Sequence, residues 1–303
     1  MASSPTGTQH ELTHGDQVAV VTEMGATLRT YEVGGRPVIA GFPETHRPDG
    51  GRGQVLAPWP NRIRDGRYSF GGEEHQLGLT EVPKRNAIHG LVRWTGWQLA
   101  ERGVDRVSLT TTVWPQTGYP FLVRLRATYR LGDDGLDVAL HARNDGDRAA
   151  PYGVGHHPYL TVGTAVDAAV LTLPAGQRLV ADDRGIPVAV EAVDRTAYDF
   201  RTSRAIGDLV IDDAYVGLGR GSDGRVRVTL EDSSGHGLEM WADEAARCLQ
   251  VFTGDTLPDP ALRRQSLAVE PMSCPAGAFD TGADLVTLQP GAEHELTWGV
   301  HSW

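Results

Sequence analysis

Cysteine is scarce in this chain: two residues, Cys248 and Cys274, among 303. Two thiols without a CxxC spacing form no disulfide framework. Both sit in apolar surroundings and read as free, half-buried thiols of a reducing compartment. Basic runs are absent too. Arg201 with Arg204, and Arg263 with Arg264, are the nearest approaches, and the formal net charge is −11. That excludes nucleic acid or an anionic membrane surface as the main partner. No apolar run reaches transmembrane length, and Met1 to Thr8 has no signal-peptide core, so the expected location is the cytoplasm. Residues 1–10 read as a loose N-terminal tail. Helical stripes of apolar residues are missing over even three turns. Also missing are a GxSxG elbow, a Walker A loop and an HExxH pair. The glycine-rich Gly217-Leu218-Gly219-Arg220-Gly221 has no helix after it and reads as a loop. No Ser-, Gly- or Pro-rich linker divides the chain, and no repeat period appears.

What is present is alternation with a period of two. Phe121, Val123, Leu125, Ala127, Tyr129 and Leu131 face one way, with Arg124, Arg126, Thr128 and Arg130 on the other side. Leu136, Val138 and Leu140 repeat the pattern, and Gly132-Asp133-Asp134-Gly135 between the two runs has a hairpin composition. Val107 to Val113, Val226 to Leu230 and Leu296 to Val300 alternate likewise. With 37 Gly and 18 Pro, turns punctuate the chain at short intervals. The expected fold is all-β: one domain over residues 1–303, a large antiparallel sandwich or barrel with few or no long helices. Pro43 to Gly53 reads as a polar loop between early strands. A sheet this large curves, and its concave face can hold a ligand.

Three separated stretches carry ionisable groups in turn or strand-edge contexts. His89 lies in Asn86-Ala87-Ile88-His89-Gly90, where the glycine allows close backbone approach. In Gly155-His156-His157-Pro158-Tyr159, adjacent strand side chains face opposite sides, so only one of the two histidines can face a given pocket. Glu270 stands at the end of an apolar strand and precedes Pro271; a carboxylate there is costly to bury unless paired or used. Arg62, with Asn61 beside it, offers a fork of donors for sugar hydroxyls or a carboxylate, and Asp213 offers acceptors. Trp59, Trp94, Tyr119 and Phe252 are candidate platforms for a sugar face. A metal site built from two or three of these histidines and Glu270 is disfavoured, because His156 and His157 project to opposite faces and the other candidates are isolated. Acid and base chemistry by these groups needs no cofactor.

Asn61-Arg62-Ile63, Ile88-His89-Gly90, His157-Pro158-Tyr159, Asp213, Gln250 before Phe252-Thr253-Gly254-Asp255, and Glu270 occur in an order that resembles the aldose 1-epimerase (mutarotase) family. The resemblance runs from near Gly53 almost to Trp303. It implies a large antiparallel β-sandwich with a sugar cleft on its curved sheet and a monosaccharide as partner. It further implies Glu270 as general base toward the anomeric hydroxyl and His157 as general acid toward the ring oxygen. His89 would support the same region, and Asn61, Arg62, Tyr159, Asp213 and Gln250 would grip hydroxyls. An ionised Glu270 and a protonated His157 would favour each other's charge. His89-Gly90-Leu91 and His156-His157 depart from the galactose-acting members, which places the chain nearer a bacterial branch whose sugar is open. Lys84, Arg85 and Arg93 flank the His89 turn and read as ordinary solvated charge or, alternatively, as a site for an anionic C6 group. Two other classes compete: a non-catalytic carbohydrate-binding sandwich, and a glycoside-cleaving sandwich enzyme, which would need a second marked carboxylate.

Overall fold

The computed structural model describes residues 4–303. Two large antiparallel sheets dominate it. The first runs, strand by strand, through Gln9–His14, Gln17–Thr22, Leu28–Val33, Arg36–Ile39, Tyr159–Leu160, Leu267–Met272, Cys248–Phe252, Asp212–Leu218, Ala175–Ala181 and Pro187–Ala192. Gly155–His156 and Val55–Leu56 attach beside Leu267–Met272. The second sheet has nine strands, with Val123–Gly132, Gly135–Asn144 and Glu293–Ser302 at its centre. Among the described residues the only helical elements are one four-residue α-turn, Ala278–Thr281, and three 3-10 turns.

The alternation in the sequence explains the sandwich. In Val123–Gly132 the residues Val123, Leu125, Ala127, Tyr129 and Leu131 are buried, while Arg124, Arg126 and Arg130 are exposed. The strand turns at Asp133-Asp134 and returns with Gly132 opposite Gly135. Leu136, Val138 and Leu140 thereby enter the same core, where Trp298 and Val300 meet them. Burial of these apolar side chains between two sheets supplies the main favourable term, roughly 25 cal/mol for each Å² removed from water.

The expected loose tail is shorter than residues 1–10. Thr6 is fully buried, its carbonyl accepts from Met24 N–H, and Gln9 and His10 already pair with Thr22 and Val21. Once the second strand presents an unpaired edge, the segment before it is drawn into the ladder. Met1 to Ser3 lie outside the described residues. Both cysteines are free and fully buried rather than half-buried. Among the described residues no helix is long and apolar enough to cross a membrane.

One irregularity positions the site. The strands Gly155–His156 and Tyr159–Leu160 are separated by His157-Pro158, and both lie against Leu267–Met272. Glu270 is therefore mid-strand, not at a strand end: the ladder continues through Pro271, which pairs with Leu249, to Met272. Val269 N–H donates to Pro158 O and Ser273 N–H to Val154 O. By alternation position 271 points toward the same broken edge, where a missing donor leaves no acceptor stranded.

Candidate active site

The row of residues across three neighbouring strands sets which side chains meet. Ala214 lies opposite Gln250, and Gln250 opposite Glu270. Side chains on this row point away from the inter-sheet core, while Tyr215, Leu249, Val251 and Val269, one position along, belong to it. His157 reaches the Glu270 side from the strand break. Its Nε2 lies 3.3 Å from Glu270 Oε1, and both side chains are almost completely buried. His156 takes the opposite side, as adjacent strand positions require. Its ring packs against Trp298 and Tyr129 of the second sheet, and its Nε2 lies 3.0 Å from Gly53 O. His156 is structural.

His89 joins the pair through a reciprocal backbone contact. Its own N–H donates to Asn61 O at 2.8 Å, and its Nδ1 accepts from Asn61 N–H at 3.1 Å. Both residues hold a left-handed backbone, φ 61° and 54°. An accepting Nδ1 defines the neutral tautomer with the proton on Nε2. The His89 ring stands edge-on to His157, centroids 5.5 Å apart. Gly90, φ 70°, lets this turn press on Ala57, whose carbonyl oxygen would sit 1.9 Å from any added Cβ.

A chain of polar side chains forms the adjoining wall. Asn61 Nδ2 donates to Gln250 Oε1 at 3.3 Å, and Gln250 Nε2 donates to Asp212 Oδ1 at 2.8 Å. Arg62 is clamped by both oxygens of Glu81, at 2.9 and 3.0 Å, and its Nη1 donates to Asn61 Oδ1. Asn61, Arg62, Asp212 and Gln250 line one depression with Leu179 and Gly185. A far larger hollow lies elsewhere, about 1130 Å³ on the outer face of the nine-stranded sheet. Its arginines are tied to carboxylates, Arg106 and Arg126 to Glu101 and Arg124 to Asp145. Size does not locate the site; the convergence of buried ionisable groups does.

Two expected binding residues are elsewhere. Asp213 faces away from the depression, where its Oδ2 accepts from Arg178 at 2.7 Å. Its neighbour Asp212 takes the cleft position, because the two-residue period puts 212 with 214 and opposite Phe252 on that face. Tyr159 is fully buried, donates its hydroxyl to Gly50 O at 2.8 Å, and stacks on the His157 ring at 5.0 Å and 11°. It holds the histidine rather than a ligand. Trp59 and Tyr119 are core residues packed against each other. Trp94 stays half-exposed between the guanidinium groups of Arg47 and Arg93. Sequence reasoning missed Glu81, which no local pattern marks, and Asp212, which register against Gln250 identifies.

Electrostatics differ from the expected charged pair. Burial pushes the Glu270 carboxyl well above the usual carboxylate range, with Asp212 adding to the effect and Arg62 opposing it. Burial pulls the His157 imidazole down to about 3, helped by Arg93 and Arg52. His89 is held well below the ordinary imidazole range by burial, Arg93, His157 and Arg62. Both shifts run toward the neutral forms, carboxylic acid and imidazole, with desolvation the largest cause at each. Arg93 makes its contacts with Ile88 O and Gln54 Oε1 and has no ion pair among the described residues. Nor do the described residues contain a group of three His, Cys, Asp or Glu side chains arranged to hold a metal.

The family model for aldose 1-epimerase matches residues 8–300. An Escherichia coli K12 relative, the uncharacterized protein YihR, is 35% identical over 292 residues, 96% of this chain and 92% of that protein. The mouse galactose mutarotase is 26% identical over 84% of this chain and 80% of its own length. Among solved structures, the Caenorhabditis elegans GalM/aldose epimerase homologue superimposes with a TM-score of 0.85 at 18% identity, covering 97% of this chain and 98% of its own. Galactose 1-epimerase from Lactobacillus acidophilus gives a TM-score of 0.81 at 22% identity over 96% and 92% of the two chains. By sequence across nearly its whole length, with the fold in agreement, this chain belongs to the aldose 1-epimerase family.

Proposed function

We propose that the protein is a mutarotase, interconverting the α and β anomers of a hexose by acid–base ring opening and closure. The carrying observation is the buried meeting of His157 Nε2 and Glu270 Oε1 at 3.3 Å, with His89 beside them and a hydrogen-bonding wall along one side. In ring opening, the Glu270 carboxylate takes the proton of the C1 hydroxyl while the C1–O5 bond breaks. Its electron pair passes to O5, which receives the His157 proton. Rotation about C1–C2 turns the aldehyde, and the reverse steps close the ring on either face.

The neutral pair that burial favours has the same number of protons as the charged pair. It is the partner of the open-chain sugar: the Glu270 carboxylic acid donates to the aldehyde oxygen while His157 takes the proton of the O5 hydroxyl. A sugar bound as a ring needs the proton moved from Glu270 to His157 first. Polar groups of a bound sugar replace lost solvation and lower the cost of that transfer. His89, donating from Nε2, is placed to polarise the oxygen that gains charge. Arg62, Asn61, Gln250 and Asp212 would grip hydroxyls.

Freshly dissolved α-glucose and α-galactose, followed by optical rotation, test this reading. Wild type accelerates the approach to equilibrium, and Glu270→Gln does not. An unchanged spontaneous rate across neutral and anionic hexoses rejects it in favour of a carbohydrate-binding module.

Arg93 favours a second reading within the same class, an epimerase for hexoses carrying an anionic C6 substituent. Its guanidinium is largely buried near His89 and His157, faces no carboxylate among the described residues, and has its pKa lowered to about 10 by burial. Arg85, by contrast, is turned out toward Asp65. Under this reading Arg93→Met impairs turnover of a C6-phosphorylated or C6-sulfonated hexose much more than turnover of glucose.

A further inference from the structure

The segment Asp49 to Gln54 wraps His157 more closely than a covering loop needs to. Gly53 N–H donates to His157 O at 2.8 Å, and His157 N–H donates to Gln54 O at 3.1 Å. Gly51, φ 78°, rests against the imidazole itself; a Cβ there would meet His157 Cδ2 at 2.4 Å. Between these contacts lies Arg52, only 2% exposed. Its Nε donates to Asp49 Oδ1 at 3.2 Å, and its Nη1 donates to Ala40 O and to Ser266 Oγ. Nη2 is buried and has no partner. The guanidinium carbon stands 4.2 Å from the centre of the Tyr159 ring, the same ring that stacks on His157 at 11°.

We infer that Arg52 is a positioning residue for the proposed reaction, acting on His157 through Tyr159. The three planar groups hold the imidazole plane aimed at Glu270, and the fixed charge makes a protonated His157 readier to release its proton. This rests on the mutarotase reading for its chemistry, though not for its geometry.

Two physical effects are separable. Stacking holds the ring: a guanidinium over a desolvated aromatic face is attracted by the ring quadrupole, and Tyr159 is tethered at its far end by Gly50 O. The charge acts through space. A buried cation near an imidazole penalises imidazolium, and Arg52 is among the causes of the low His157 pKa. The other groups facing His157 are Glu270 from its strand, and His89 and Arg93 from the turn after Asn86–Ile88, while Asp49 pairs with Arg52 in their shared loop. Asp212 acts at one remove by raising Glu270, and His156 lies on the far face. Arg93 supplies positive charge from the open side and Arg52 from the closed side. Arg52 is buried and hydrogen-bonded to Asp49, Ala40 and Ser266, so it is set to affect proton transfer more than sugar affinity.

The test uses the intact protein with ¹⁵N-labelled histidine, in wild type, Arg52→Lys and Arg52→Gln. Expected for Arg52→Gln is a His157 titration midpoint higher by about one pH unit, the scale of one charge several Å away at an effective dielectric of about 20. Arg52→Lys keeps the wild-type midpoint. In mutarotation assays Arg52→Gln lowers kcat about tenfold with KM changed less than twofold, and Arg52→Lys recovers most of the loss. Tyr159→Leu removes the ring between the two groups and lowers kcat with either residue at position 52. An Arg52→Gln midpoint equal to wild type overturns the inference, as does a loss confined to KM. If Arg52→Gln fails to fold, the Lys variant decides alone: a shifted midpoint with the charge retained overturns it. A shifted midpoint in a protein that accelerates no sugar's mutarotation rejects the proposed function and leaves Arg52's control of His157 standing.

Discussion

Gln250 donates its amide to Asp212 at 2.8 Å, while Asp213, one residue along the same strand, accepts from Arg178 at 2.7 Å on the opposite face. The two aspartates thus belong to different parts of the molecule. Asp212 is continuous with the wall that runs through Asn61 to Arg62, and Asp213 holds Arg178 against the ring of Tyr198.

Substitution separates them. Asp212→Asn is expected to reduce kcat/KM for the sugar by about 10²-fold, since a site that binds hydroxyls loses strongly when a carboxylate acceptor in its wall is replaced. Asp213→Asn leaves kcat/KM within about twofold and changes stability by no more than about 1 kcal/mol, because the partly buried ion pair is offset by the desolvation of its carboxylate. Steady-state polarimetry and denaturant unfolding of both variants check this. Equal effects on activity would sink the assignment of faces.

His156 and His157 offer a similar contrast. His156→Ala opens a cavity between the sheets against Trp298 and costs about 2–4 kcal/mol, read as a lower denaturant midpoint, with activity retained by the folded fraction. His157→Asn keeps the fold and lowers kcat by about 10²–10⁴-fold, the range attributed to a lost general acid.

Glu270 is expected to weaken the fold that it serves. Its folded-state pKa lies above the unfolded value, so between the two the folded protein binds more protons, and stability falls as pH rises from about 4.5. Glu270→Gln removes that dependence. Thermal unfolding at pH 8 should therefore show the variant more stable than wild type, while its mutarotation is abolished. A variant less stable than wild type at pH 8 would contradict the burial argument.

The histidines act at the other end of the pH scale. His89, His156 and His157 all have folded-state pKa values below the unfolded value of 6.5, the last two about 3. Below about pH 6.5 the unfolded chain binds more protons at these sites, so stability falls progressively as pH drops. His156→Phe removes one contribution and should flatten the acid limb of a plot of unfolding free energy against pH. For activity, the pair carries one proton from the low macroscopic pKa to the high one, so mutarotation should be nearly constant across neutral pH. A sharp bell centred near pH 6 would exclude the neutral pair.

Gly51 tests the packing around the acid. Gly51→Ala meets His157 Cδ2 in a left-handed backbone position, so the imidazole must move or the loop must lift. Expected is a kcat reduced about tenfold or more and a lower unfolding midpoint, because Gly51 is buried against the imidazole.

Much of the architecture was legible because burial between two sheets writes itself into the chain with a period of two. Val123 to Leu131 and Leu136 to Leu140 announce both their strands and their hairpin, and the structure places them together in the core. The separation of His156 from His157 follows from the same rule. Its limits show at Asp212 and Asp213. Alternation says that they face opposite sides, and only pairing with the strand that carries Gln250 says which side is the cleft. Tyr159 shows a different limit. An aromatic with a hydroxyl suits a sugar or a core equally, and the loop whose carbonyl accepts its hydrogen bond, at Gly50, lies 109 residues away in the chain.

The residue types at Asn61, Arg62, His89, His157, Gln250 and Glu270, and the alternation around them, are properties of the sequence alone, and they suffice for the fold class and the family. What the tertiary structure decided is the chemical state of those residues. Burial is a collective property of many distant segments, and it is burial that disfavours the expected charges of His157 and Glu270. The same assembly places Arg52 against Tyr159, and Glu81 around Arg62. No local pattern encodes these contacts, because each is made by chain folded back from elsewhere.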